Sequence, residues 1–216
     1  GQTDNKFQAF GQSLELDLQP LGGTFGWETE DWQTRFSIVS VSVDAGQDYL
    51  AGTEMLIGGL QAVAPLWPDA ANYTNAFSLQ DKTFYYYALG AAYDNQSWVV
   101  QSEINYVDTG TLVFRSFAGG YLSLGYRVAD DTTVYGVLSK VKNTQARVDV
   151  SDPPPVPGYE AQLLMLQQTL QTFFSGSSFN QQTASLGVRW DLRYNLALKL
   201  QWDHTAVDAY GSGLWD

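Results

Sequence analysis

Two stretches near the end of the chain decide its fold: Thr183-Ala184-Ser185-Leu186-Gly187-Val188-Arg189-Trp190-Asp191 and Leu196-Ala197-Leu198-Lys199-Leu200-Gln201-Trp202-Asp203. Both alternate almost without a break. Leu196, Leu198, Leu200 and Trp202 fall on one face of an extended strand, and Ala197, Lys199, Gln201 and Asp203 on the other. In the first stretch Ala184, Leu186, Val188 and Trp190 oppose Ser185, Gly187, Arg189 and Asp191. With the short polar turn Leu192-Arg193-Tyr194-Asn195 between them, they form a hairpin with one greasy and one wet side.

The same unit recurs upstream. Thr83–Asp94 and Ser97–Asp108 meet at Asn95-Gln96, and Gly119–Val128 and Thr132–Lys142 meet at Ala129-Asp130-Asp131. Gly23–Glu28 and Trp32–Val43 turn at Thr29-Glu30-Asp31, after an alternating piece, Ser13–Gln19, in which Leu14, Leu16 and Leu18 oppose Glu15 and Asp17. These pieces predict about nine or ten antiparallel up-and-down strands of about 9–11 residues. The connections alternate in length. Between hairpins lie two long segments, 45–82 and 143–182. The first contains the helical stretch Asp48–Val63, then Pro65 and Pro68. The second contains Asp152-Pro153-Pro154-Pro155, then Glu160–Phe174, where Leu163, Leu164, Met165, Leu166 and Leu170 suit a short helix. Greasy-and-wet ribbons with short turns at one rim and long loops at the other predict a transmembrane β-barrel.

Composition agrees with that expectation. Only 16 % of the 216 residues are charged while 14 % are aromatic, with 13 Tyr and 7 Trp, which is unusual for an ordinary soluble domain. No apolar run approaches the ~20 residues of a membrane-spanning helix. There is no Cys, which excludes disulfides and thiolate metal sites. The net charge of −12 makes nucleic acid an unfavourable partner. The start, Gly1-Gln2-Thr3-Asp4, and the final loop-like run from Ala209 to Asp216 predict a single barrel domain over 1–216, incomplete at both ends.

The run Leu89-Gly90-Ala91-Ala92-Tyr93-Asp94 through Trp98-Val99-Val100-Gln101-Ser102-Glu103, the run Tyr121 to Arg127 with Val134-Tyr135, and the closing hairpin resemble the porin-type proteins of Gram-negative outer membranes. The resemblance spans roughly Gly23 to Trp215. It implies a bacterial outer-membrane location, lipid and lipopolysaccharide as surroundings, small hydrophilic solutes as cargo and a barrel of roughly sixteen strands. By analogy it implies a homotrimer. It implies no catalysis, and a loop that narrows the pore; the competing expectation is that the helical stretches Asp48–Val63 and Glu160–Phe174 cap the outer mouth, the Pro-rich loop above all.

Alternation assigns the wet, pore-lining face to Arg35, Gln101, Glu103, Asn105, Ser123, Arg127, Lys140, Arg189, Lys199, Gln201 and Asp203. Many acids lie in turns and loops, so these bases predict an anion-favouring wall. The competing expectation is that they pair with Glu103, Asp203 or an inserted loop. Trp27, Trp32, Tyr93, Trp98, Trp190, Tyr194 and Trp202 lie beside turns or at strand ends and read as an aromatic girdle. One His, His204, with no Cys builds no familiar zinc site, and no serine is marked out as its nucleophilic partner. Asp149, Asp152 and Glu160 form the nearest approach to a Ca²⁺ cluster, and no other cofactor is expected.

Two further functions compete with the channel. One is a non-conducting barrel acting as a scaffold in a larger outer-membrane assembly. The other is a soluble all-β carbohydrate-binding module, which requires Leu196, Leu198 and Leu200 to face a packed core.

Overall fold

The computed structural model of the protein describes residues 4–9, 12–45, 53–145, 148–176 and 180–208, with side chains from Leu18 onward. The expected loop at 209–216 lies outside these, as do residues 48–52 of the first expected helix. The elements run β1 (Asp4–Ala9), β2 (Gln12–Glu28), β3 (Trp32–Asp44), α1 (Glu54–Val63), α2 (Asp69–Ala76), β4 (Lys82–Asp94), β5 (Trp98–Asp108), β6 (Phe117–Ala129), β7 (Thr132–Asn143), α3 (Glu160–Gly176), β8 (Asn180–Arg193) and β9 (Leu196–Val207).

The architecture is all-β. Nine strands form one sheet in sequence order, each antiparallel to its neighbour. Among the described residues no pairing joins β1 to β9, and the sheet is open. The four hairpins legible in the sequence are β2–β3, β4–β5, β6–β7 and β8–β9. The two expected pieces before Glu28 are one strand. The register runs unbroken from Leu18 opposite Val43 to Glu28 opposite Gln33. Pro20 is accommodated because β1 pairs only with Gln12 to Asp17, so β2 is an edge beyond that point.

Strand tilt follows from the register. The directly paired row that begins at Trp32, the first residue of β3, runs through Tyr93, Val100, Leu124, Gly136 and Leu186 to Trp202. After six strand steps it has climbed six residues beyond the start of β9. A climb of about one residue per strand, at ~3.3 Å rise and ~4.8 Å strand spacing, tilts the strands by about 35° from the line of the turns.

The opposite end carries the helices. Leu56, Ile57, Leu60 and Val63 of α1 pack with Leu163, Leu170 and Phe174 of α3, and with Trp67, Ala70, Phe77, Val113 and Val150, in one buried cluster. Three separate connections therefore share one core, and each buried Leu or Phe adds about 1.5–3 kcal/mol to it. Helix α2 was not legible in the sequence because Pro65 and Pro68 look like loop residues. Pro68 instead caps the start of α2 with φ −57°, where a missing N–H costs nothing. A second, smaller cluster ties the helices to the sheet: Val43 and Leu79 are buried against Leu18, Val41, Phe84 and Phe114.

Candidate functional site: the polar face of the sheet

Directly paired residues share a face, so one row defines each side. Arg35, Gly90, Glu103, Tyr121, Ser139, Thr183 and Thr205 form a continuous row on one side. Alternation then places Gln101, Asn105, Ser123, Arg127, Arg189, Lys199, Gln201 and Asp203 on that same polar face, as expected. Lys140 is the exception. It is paired with Gly120, which is paired with Ile104, and so belongs to the opposite, apolar face. The pattern misleads there because the end of β7 is inverted: Val137 and Val141 take the polar side while Lys140 and Lys142 take the other.

The arginines of the polar face are neutralised locally. Arg35 Nη2 lies 3.0 Å from Glu103 Oε2, two strands away. Gly90 stands between them, and a Cβ on it would come within 3.5 Å of that same carboxylate oxygen. Arg127 donates to both carboxylate oxygens of Asp94 at 2.7 and 2.9 Å, and also to the Asn95 carbonyl. Arg189 Nη2 lies 2.8 Å from Asp191. Lys199 sits 4.8 Å from the centre of the Tyr135 ring. The three arginines of the predicted basic wall are thus ion-paired, with Arg35 meeting Glu103 as the competing expectation had it. Such exposed pairs add little stability but cancel the field that would sort anions from cations.

Tyrosines line this face too, which the sequence reading missed. Tyr135 lies across Gly187, donates to Gln201 Oε1 at 2.8 Å, and Gln201 in turn donates to Asp203 at 2.7 Å. A Cβ on Gly187 would lie 2.3 Å from the Tyr135 ring and hydroxyl. The opposition of Tyr135 and Gly187 on adjacent strands was the available signal. Gly187→Ala is expected to cost about 1–3 kcal/mol in denaturant unfolding, and the loss to be relieved in a Tyr135→Ser background. Beside Arg35 and Glu103 a groove of ≈ 510 Å³ is floored by Gly26 and Gly90 and bordered by Gln33, Gln101 and Tyr121.

The opposite face is almost wholly apolar and bare. Leu21, Phe25, Leu186 and Leu200 are 64–77 % exposed, and Phe36, Ile38, Leu89, Ile104, Leu122, Leu124, Leu138, Leu196 and Leu198 join them. Among the described residues no packed layer covers Leu196, Leu198 or Leu200, which are 53, 56 and 76 % exposed. From Leu18 onward, charged strand residues on this face occur only at its ends. Arg193 is beside the β8–β9 turn, and Asp44, Asp108, Lys140 and Lys142 are at the helical end.

Aromatic rings border this apolar band. At the turn end Trp32 packs on Tyr93 with ring centres 4.9 Å apart, and Trp98 on Tyr126 at 4.8 Å. Trp27 and Trp190 share that face and that end. Their polar tips reach the turns: Trp190 Nε1 donates to Asp131 at 3.0 Å, and Asn95 donates to the Tyr93 hydroxyl at 2.8 Å. Hydrogen bonds from Thr132 and Trp190 hold the Asp131 carboxyl below the usual carboxylate range. Tyr194 is fully exposed in its turn. Trp202 is not at the rim: it is mid-strand in β9, stacked on His204, and belongs to the band itself. At the helical end Tyr87 stacks with both Tyr85 and Tyr106, each pair 6.4 Å apart, a second border unnoticed in the sequence.

Of the acidic loop residues, Asp152 accepts from Gln167 at 2.8 Å and Glu160 from the Gly158 N–H at 2.8 Å. No group of three His, Asp or Glu side chains that could hold a metal ion occurs among the described residues. No described helix is long and apolar enough to cross a membrane, which leaves strands untouched as a means of crossing. No protein-family model matches the chain, nor does the sequence of any curated protein.

Proposed function

We propose that this sheet is the wall of a transmembrane β-barrel in a bacterial outer membrane, akin to the porins it resembles, and that small hydrophilic solutes pass along its polar face. One observation carries the reading: the large bare apolar side chains share one face, and the charges on that face lie only at its ends. Lipid is the solvent that suits such a face. Dimensions support it. Tyr85 and Tyr93 on β4, and Trp98 and Tyr106 on β5, are each eight residues apart. At ~3.3 Å per residue and a ~35° tilt, the two aromatic borders stand about 22 Å apart, close to the ~25 Å apolar band of outer-membrane barrels.

The paired arginines imply weak ion selectivity. Single-channel recording in a planar bilayer is expected to show stable ohmic steps, with a reversal potential near zero under a KCl gradient. Glu103→Gln leaves Arg35 without its counter-charge and is expected to shift the reversal potential towards anions. A protein that inserts but stays silent overturns the channel.

A second reading, a non-conducting scaffold barrel, draws support from the helices. Their shared core is anchored at the loop-side end of the polar face through Phe84, Val41 and Val43, where it could close the passage.

A further inference from the structure

The bare apolar face is interrupted at one place by a trough. Gly120, Ala184 and Ala206 form its floor, and Ile104, Leu122 and Leu138 its walls, around a volume of ≈ 530 Å³. Gly120 cannot be enlarged, because a Cβ there would lie 2.8 Å from the Glu103 carbonyl oxygen. The trough crosses the strands from β5 to β9: Gly120, Lys140, Gln182 and Ala206 are one paired row on its helical side, and Leu122, Leu138, Ala184 and His204 are the next row towards the turns. Lys142 follows one step further on the same face, next to Ala118 and Asn180. Both lysines are exposed, and neither has an ion pair among the described residues. The nearest acid on that row, Asp208, is engaged by Asn180. Lys140 stands eight residues from the start of β7, as Tyr106 does from the start of β5, so Lys140 lies level with the tyrosine border and Lys142 one step beyond it, at the depth of lipid headgroups on the membrane reading.

We propose that this trough is a binding site for one phosphate-bearing lipid, an acyl chain lying along Leu138 between Gly120 and Ala184 and the phosphate held by Lys140 and Lys142. The inference rests on the membrane reading above and adds a partner to it. Charge complementarity selects the occupant. Two unpaired ammonium groups at the head of an apolar trough match an anion attached to a hydrocarbon chain, and match neither a zwitterionic lipid nor a free anion equally well. Long lysine stems let the charges reach the headgroup layer while their methylenes cover the band.

The test uses the full chain in phosphatidylcholine nanodiscs containing a small fraction of phosphatidic acid, with bound lipid counted by native mass spectrometry. Wild type is expected to retain phosphatidic acid in preference to phosphatidylcholine. The Lys140→Gln/Lys142→Gln variant is expected to bind it about 30-fold more weakly, each surface lysine accounting for about fivefold. Ala184→Phe fills the trough, keeps both lysines, and is expected to weaken retention as well. Equal retention by wild type and the double variant overturns the site. So does competition by millimolar inorganic phosphate, which would mark a free-anion site. Flotation with pure phosphatidylcholine vesicles separates the two levels. Variants that float like wild type leave the membrane reading standing whatever the lipid preference, and a wild type that stays at the bottom of the gradient overturns both.

Discussion

Leu124→Arg is expected to destabilise the membrane-inserted protein by about 2–4 kcal/mol, while Ser123→Arg one residue earlier changes stability by less than about 1 kcal/mol. The two positions are neighbours in β6 and point to opposite faces. Leu124 shares the apolar row with Leu186, Val100 and Trp202, whereas Ser123 is paired with Gln101 and Val137 on the polar side. In water the order reverses, because replacing a half-exposed leucine by arginine removes bare apolar surface. The sign of the Leu124 effect therefore reports which solvent meets that face. Denaturant unfolding of the reconstituted protein, with each variant compared in the same lipid, gives the measurement. A neutral or stabilising Leu124→Arg would remove the basis for a lipid-facing band.

Phe174→Ala is the second large effect. Its ring is 2 % exposed, with centres 6.3 Å from Tyr73, 6.3 Å from Phe77 and 5.7 Å from Phe173. Removing it leaves a cavity where all three helices meet, at a cost of about 3–5 kcal/mol. The loss falls on the helical cluster. The strand ladders keep their hydrogen bonds, and Val43, Leu79 and their few apolar neighbours join the helical cluster to them among the described residues. Hydrogen exchange is expected to show α1 and α3 losing protection while β4 to β8 keep theirs. If the helices close the passage, the same variant raises single-channel conductance, and an unchanged conductance assigns the helices to the rim alone.

Much of the fold could be read from alternation because one face of each strand is starved of charge. Thr183–Asp191 lies within β8 and Leu196–Asp203 within β9, and both turns and pairings followed from the letters. The reading failed where a different partner reverses the pattern. At the helical end Val41, Val43 and Phe84 turn towards the polar side, where they pack with Leu79 and Phe114 instead of meeting water, and in β7 Val137 and Val141 take that side, which leaves Lys140 on the other. Trp202 reads as a rim residue because the alternation ends at Asp203, whereas β9 continues to Val207 and leaves it mid-strand. Tyr135 is not legible as a lining residue because an isolated tyrosine between Val134 and Gly136 carries no pattern of its own; its meaning comes from Gly187, fifty-two residues away in sequence and adjacent in the sheet.

Three connections share one hydrophobic core, and this reverses the usual advice on where such a chain accepts foreign sequence. Length normally marks the permissive loop. Here the long segments around α1, α2 and α3 hold one another in place, with Ser151 bonding Asp69 across eighty-two residues at 2.7 Å. The short turn at Tyr194-Asn195 is fully exposed at Tyr194 and carries nothing else. An epitope or fluorophore tag belongs in this two-residue turn rather than in the long connections.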